Sequence, residues 1–253
     1  MSRGMQRMRR VLGVGFVGLG LASQAAAQEW VGPKCDIKAG HYLVNSAVLY
    51  LKSATGTKFP DQRDKDLRDA IRVLGQAVGS GGQQKNPAAW YYLGRYYVEM
   101  KDVAGADSAF ARTVALAPSC AQDVNLWRRR LWAPMVNAGV AAWQAGKTDS
   151  AIACFRRANA VYTAEPGSFA YLATLLANAN QPDSAAKYFR LAVAAAQDPK
   201  FAKEKKDAMF NVARSYHGAQ RWGDAAQAYQ DYLASYPDDV QATAGLATVY
   251  AAM

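Results

Sequence analysis

The sequence predicts an all-α fold of stacked helical hairpins, chiefly because a small and a large apolar residue recur together at helical spacing. In the clearest copy Ala106, Phe110 and Thr113 fall at i, i+4 and i+7, so they share one face of a helix. The small residue lets two helices approach closely, and the large residue fills the space below it. The same spacing recurs three times downstream and once, more weakly, upstream, with its small residue at Ala151, Ala185, Ala225 and Ala70.

A second observation links this helix to the one before it. Seven residues fall at positions 4, 7, 8, 11, 20, 24 and 32 of a 34-residue unit: Trp90, Leu93, Gly94, Tyr97, Ala106, Phe110 and Pro118. In this respect the chain resembles the tetratricopeptide repeat family from about residue 40 onward. The resemblance implies a right-handed α-solenoid of stacked antiparallel helix pairs. Members of that family are scaffolds that bind peptides or partner proteins in a concave groove.

The repeats divide the chain into segments of unequal length. Successive anchor alanines are 36, 45, 34 and 40 residues apart, so the units carry insertions. The long interval predicts a short extra helix before Pro134, which suits the first turn of the following helix. The expected order is a secretory signal peptide at 1–27, an irregular segment at 28–39, a divergent helical hairpin at 40–85, repeat units at 86–120, 121–165, 166–200 and 201–239, and a terminal helix or truncated further repeat at 240–253.

The first 27 residues have the three parts of a secretory signal. Four arginines and no acidic residue precede a 12-residue apolar run, Val11–Ala22, and Ala25 and Ala27 supply the small residues before a cleavage site. The apolar run is shorter than the roughly 20 residues that span a bilayer. The pattern therefore predicts export to the periplasm or cell envelope. Arg9 and Arg10 leave a twin-arginine signal open, although an ordinary basic region is favoured.

Charge and cysteine content give weaker indications. The chain has 30 basic and 20 acidic residues, and four of the basic ones lie in the signal, which leaves a net charge of +6 after it. That charge favours acidic partners modestly, and export argues against nucleic acid. Cys35 and Cys120 lie in irregular segments, so a disulfide between them is a hypothesis, with free thiols as the alternative. Cys154 lies on a repeat helix and is expected to be a small buried residue.

Little in the sequence indicates catalysis. Only two histidines, His41 and His217, are present, and they belong to distant hairpins. No nucleotide-binding glycine motif, CxxC pair or cluster of metal ligands is found. The sequence therefore predicts a non-catalytic protein without a catalytic residue, metal or cofactor.

The family resemblance implies which side chains line the groove. The expected groove residues are three aromatic anchors, two cations and one amide: Tyr91, Trp143, Phe210, Arg95, Arg214 and Asn137. This mixture suits an extended protein or peptide ligand with aromatic or aliphatic side chains and some acidic groups. Two alternatives stay open. In the first, Tyr91 and Trp143 pack against neighbouring helices or inserted segments. In the second, the chain is a structural subunit of an envelope assembly and binds through its convex or end surfaces.

Overall fold

The computed structural model describes residues 30–253, so the signal peptide expected at 1–27 lies outside the described residues. Within that range all regular secondary structure is helical, with no strand. The α-helices are α1 (Tyr42–Gly56), α2 (Pro60–Val78), α3 (Pro87–Glu99), α4 (Val103–Leu116), α5 (Ala121–Gln144), α6 (Thr148–Val161), α7 (Gly167–Asn178), α8 (Pro182–Ala195), α9 (Ala202–Gly218), α10 (Trp222–Ser235) and α11 (Val240–Ala252). Consecutive helices pair as hairpins, and the predicted all-α solenoid is confirmed.

Four of the hairpins turn in the same way. The second residue after the first helix adopts the left-handed conformation, with φ between 55° and 72°, at Lys101, Gly146, Asn180 and Gln220. At each turn two backbone N–H groups bond back to the end of the helix, as when Asp102 N donates to Tyr97 O and Lys101 N donates to Val98 O. These bonds satisfy carbonyls that a helix end otherwise leaves free, and they reverse the chain tightly.

Within a hairpin the two helices are held at the distance set by a small residue and an aromatic ring. Gly94 of α3 faces Phe110 of α4, and Gly139 of α5 faces Phe155 of α6. A Cβ atom at either glycine would lie less than 3 Å from ring carbons. Both phenylalanines are fully buried, so the glycines let the helices close over the rings.

Helix α5 joins two hydrophobic cores, one formed by the first two hairpins and one formed by the later repeats. Trp127 Nε1 donates to Tyr91 Oη of α3 at 2.8 Å, on the side of the first core. Trp132 Nε1 donates to Ser168 Oγ of α7 at 3.0 Å, on the side of the second. Met135 packs against both cores. The two cores therefore form one continuous stack through α5.

The prediction of a separate short helix before Pro134 is wrong. Residues Ala121–Gln144 form one uninterrupted helix with Pro134 inside it. Proline removes a backbone donor and normally breaks a helix, but here Trp127, Leu131 and Val136 are buried on both sides of it. Pro134 itself is exposed, so its ring faces solvent while the buried face of the helix holds the segment together.

We expect Gly139→Ala to lower the free energy of unfolding by about 1–3 kcal/mol, because overpacking of a filled site forces neighbours apart. The added Cβ would lie 2.7 Å from Phe155 Cε1. Gly75→Ala in α2 is the matched control, since nothing lies within 4 Å of its Cβ position. The control should be neutral or stabilising by up to about 1 kcal/mol. Urea denaturation followed by circular dichroism measures both, and equal losses would contradict the packing argument.

Candidate peptide-binding groove

The expected groove begins at α3, and there it is already occupied by residues 30–39, hereafter the N-terminal segment. The segment has no regular secondary structure and crosses α3 and the first turns of α5. Arg95 Nη1 donates to the Val31 carbonyl at 2.7 Å. The Asp123 carboxylate oxygen Oδ2 accepts the backbone N–H groups of Lys34 and Cys35 at 2.5 and 2.7 Å. Most of these contacts use the segment's backbone, as in a bound extended peptide.

Arg95 is enclosed between two tryptophan rings. Its guanidinium carbon lies 3.8 Å from the Trp30 ring centroid and 4.1 Å from that of Trp127, and the residue is only 4 % exposed. Burial lowers the pKa of Arg95 to about 10, so the side chain stays protonated at neutral pH. Within residues 30–253 it forms no salt bridge. The two π faces and the Val31 carbonyl therefore stabilise this buried cation.

Tyr91 is part of the core beneath the segment. It is 1 % exposed, its Oη accepts from Trp127 Nε1, and its ring meets Phe110 edge-on. Burial raises the pKa of Tyr91 to about 12. The expectation that Tyr91 and Arg95 face an open groove is therefore wrong for this end of the solenoid. The alternative interpretation applies to Tyr91, since Phe110 of α4 and Trp127 of α5 pack against it.

A disulfide fastens the N-terminal segment in place. Cys35 and Cys120 are bonded, with an S–S distance of 2.05 Å and a Cα–Cα distance of 5.1 Å. Cys120 lies in the short turn that precedes α5, three residues before Asp123, so the bond and the carboxylate hold the same stretch of the segment. Cys154 of α6 carries a free thiol and is half-buried rather than fully buried.

The other four expected groove residues remain accessible. Asn137 of α5 is exposed, and Trp143 at the end of α5 is half-buried with its ring edge-on to Tyr171, at 6.1 Å between centroids. Phe210 of α9 is half-buried against Tyr229 and Tyr232 of α10, at 6.0 and 5.2 Å.

The guanidinium of Arg214 lies 5.9 Å from the ring of Phe210, one helical turn before it. In the described part of the chain Arg214 forms no salt bridge or hydrogen bond, so its charge is available to a ligand. Trp143 and Phe210 belong to separate aromatic clusters, so the groove has two accessible aromatic surfaces rather than one.

Three residues with roles at the groove were not identified from the sequence. Trp30 and Asp123 lie outside the repeat pattern, and their contacts join residues 62 to 89 positions apart. Tyr171 is at position 6 of its unit and lies between Trp143 and Phe155, at 5.4 Å from the latter ring. Of these three residues, only Tyr171 has a position in the repeat pattern that could have identified it from the sequence.

Together the fold and the groove define an α-solenoid binding protein, and the sequence identifies its family. The profile described as "Tetratricopeptide repeat" matches residues 62–120, 136–200, 172–240 and 210–252. These matches cover more than half of the chain, so the chain belongs to the tetratricopeptide repeat family, whose members act as protein-interaction scaffolds. No curated protein sequence matches the chain.

Solved structures match the chain at low identity and low TM-score. The MamA protein is 17% identical with a TM-score of 0.35, over 78% of this chain and 95% of that one. YrrB, described as a TPR protein with an unusual peptide-binding site, is 17% identical with a TM-score of 0.35, over 79% and 88%. PilW, described as a widely conserved type IV pilus biogenesis factor, is 18% identical with a TM-score of 0.35, over 83% and 100%. At these values they carry no inference about a ligand.

We expect Asp123→Asn to lower the free energy of unfolding by about 1–3 kcal/mol, because the amide replaces a charged acceptor of two backbone N–H groups. Asp64→Asn in α2 is the control, since that exposed carboxylate has no hydrogen bond or salt bridge to any residue from 30 onward. Hydrogen exchange should also speed up at Lys34 and Cys35 in the Asp123 variant alone. Unchanged exchange there would contradict the role given to Asp123.

Proposed function

We propose that this protein is an exported, non-catalytic scaffold that binds a partner protein or peptide in the periplasm or cell envelope. The ligand lies along α5, α7 and α9, which form the part of the groove that the N-terminal segment leaves free. The observation that carries the proposal is the set of accessible side chains at groove positions of these helices, above all Trp143, Phe210 and Arg214.

The chemistry of these side chains indicates the kind of ligand. Half-buried rings of Trp143 and Phe210 offer apolar surface at two places, and aromatic anchors of this kind carry much of the binding energy in interfaces. Arg214 adds a cation that has no ionic partner among residues 30–253, which suits a carboxylate. Neighbouring helices pack about 8–10 Å apart and an extended chain rises about 3.3 Å per residue, so a ligand advances roughly three residues per helix. An extended peptide with spaced apolar residues and an acidic one fits these intervals.

Two observations support export. The first is the signal pattern at residues 1–27, and the second is the Cys35–Cys120 disulfide, since disulfides persist in oxidising compartments and are rare in the cytosol. Among the helices from α1 to α11, none is long and apolar enough to cross a membrane.

A structural subunit of an envelope assembly is the second candidate, and one observation favours it. Helix α11 exposes two large apolar side chains, with Val240 at 79 % and Tyr250 at 51 % exposure. An end surface of this kind suits contact with another protein. In this case the partner would bind at the end of the stack rather than in the groove.

We expect Arg214→Glu to weaken partner binding by roughly tenfold or more, because the reversed charge repels an acidic ligand. Arg190→Glu is the matched control, since Arg190 is an exposed arginine of α8, outside the groove helices. A photo-crosslinker at Trp143 in intact cells, with mass spectrometry of the products, identifies the partner and measures its loss in each variant.

The outcomes separate the two candidates. Capture from Trp143 that disappears with Arg214→Glu and persists with Arg190→Glu supports binding in the groove. Capture only from a crosslinker at Tyr250 supports the assembly subunit instead, and it contradicts the groove proposal.

A further inference from the structure

The contacts of the N-terminal segment describe a peptide-binding subsite, not only a covering. The residues that hold the segment are hereafter called the slot: Tyr92, Arg95, Cys120, Asp123 and Trp127. The Trp30 ring stacks on Tyr92 at 6.3 Å with an interplanar angle of 14°, and its other neighbour is the Arg95 guanidinium. The slot thus receives one aromatic side chain, one carbonyl and two successive N–H groups.

The position of the slot in the repeat register supports a binding role. Tyr92 and Arg95 are at positions 6 and 9 of their unit, where the last two full units have Tyr171 and Thr174, and Asn211 and Arg214. The accessible part of the groove and the slot are therefore successive parts of one surface. The slot differs in having a wall, because the first turns of α5 contribute Asp123 and Trp127 beside α3.

We propose that the slot is a peptide-binding subsite which residues 30–39 fill in cis, and which binds in trans an extended peptide of the same chemistry. Such a peptide carries a tryptophan, a free carbonyl on the next residue, and two successive N–H groups at the fourth and fifth residues after the tryptophan. The inference deepens the proposed function, because it adds a second subsite to the same groove. It rests on that function only for the biological purpose of the subsite.

The segment's covalent attachment explains why the slot is closed to other peptides. A short tether gives an intramolecular ligand an effective concentration on the order of millimolar, so an external peptide of equal affinity competes poorly. The disulfide at Cys35 holds the segment at its centre, next to the two N–H groups that Asp123 accepts. Once the segment leaves, Arg95 loses a π face and a carbonyl acceptor together, and a new peptide with both groups restores them.

The test uses residues 28–253 with Trp30→Ala and Cys35→Ser, which removes the aromatic anchor and the disulfide. The probe is a fluorescent peptide of residues 30–39 with serine in place of its cysteine, and binding is measured by fluorescence anisotropy. We expect saturable binding to this variant and binding on the order of 100-fold weaker to the oxidised wild-type chain. A probe with alanine in place of its tryptophan should bind the variant roughly tenfold or more weakly.

Two further variants keep the result decisive. Adding Arg214→Glu should leave probe binding unchanged, because Arg214 lies outside the slot, so failure of the proposed function at α9 is distinguished from failure of this inference. If the double variant lacks native circular dichroism, Cys35→Ser alone is measured, and it should bind the probe more tightly than wild type. Absence of binding to a folded variant, or equal binding of the alanine probe, would overturn the proposal.

Discussion

The architecture depends on the close approach of two helices across a small residue. In the first two clear repeats a glycine faces a buried phenylalanine ring: Gly94 faces Phe110, and Gly139 faces Phe155. The later repeats have alanine at the same position and still bury the ring. This distance sets the geometry of each hairpin, and because a solenoid repeat contacts mainly its neighbours, it also sets how the next hairpin stacks. The groove is a consequence of that stacking.

The sequence was sufficient for the hairpins because their packing is local and periodic. Ala106, Ala151, Ala185 and Ala225 are all fully buried, as a shared helical face requires. The continuity of α5 could not be read from residue types, since proline is a strong local signal against a helix. There the tertiary packing of Trp127 and Leu131 outweighs the local preference of Pro134.

Only the accessible part of the candidate groove could be predicted from the sequence. Repeat register placed Trp143, Phe210 and Arg214 on the groove helices, where they remain accessible, but it assumed the same accessibility for Tyr91 and Arg95. Arg95 is covered by a segment without periodicity that lies 64 residues away in sequence, and Tyr91 is covered by Phe110 and Trp127 of the neighbouring helices. A repeat pattern describes contacts between neighbouring units, and it contains no information on an irregular segment that folds back over them.

The covalent link between Cys35 and Cys120 also decides how the molecule carries a pulling force. Tension applied between the N-terminal segment and α11 passes through the sulfur atoms and enters the helical stack at α5. The first two hairpins lie within the 85-residue loop that the bond closes, so they carry none of this load. A fully extended chain spans about 3.6 Å per residue, so the disulfide prevents roughly 300 Å of chain within the loop from being extended by force. Only the repeats from α5 onward can then lengthen under force.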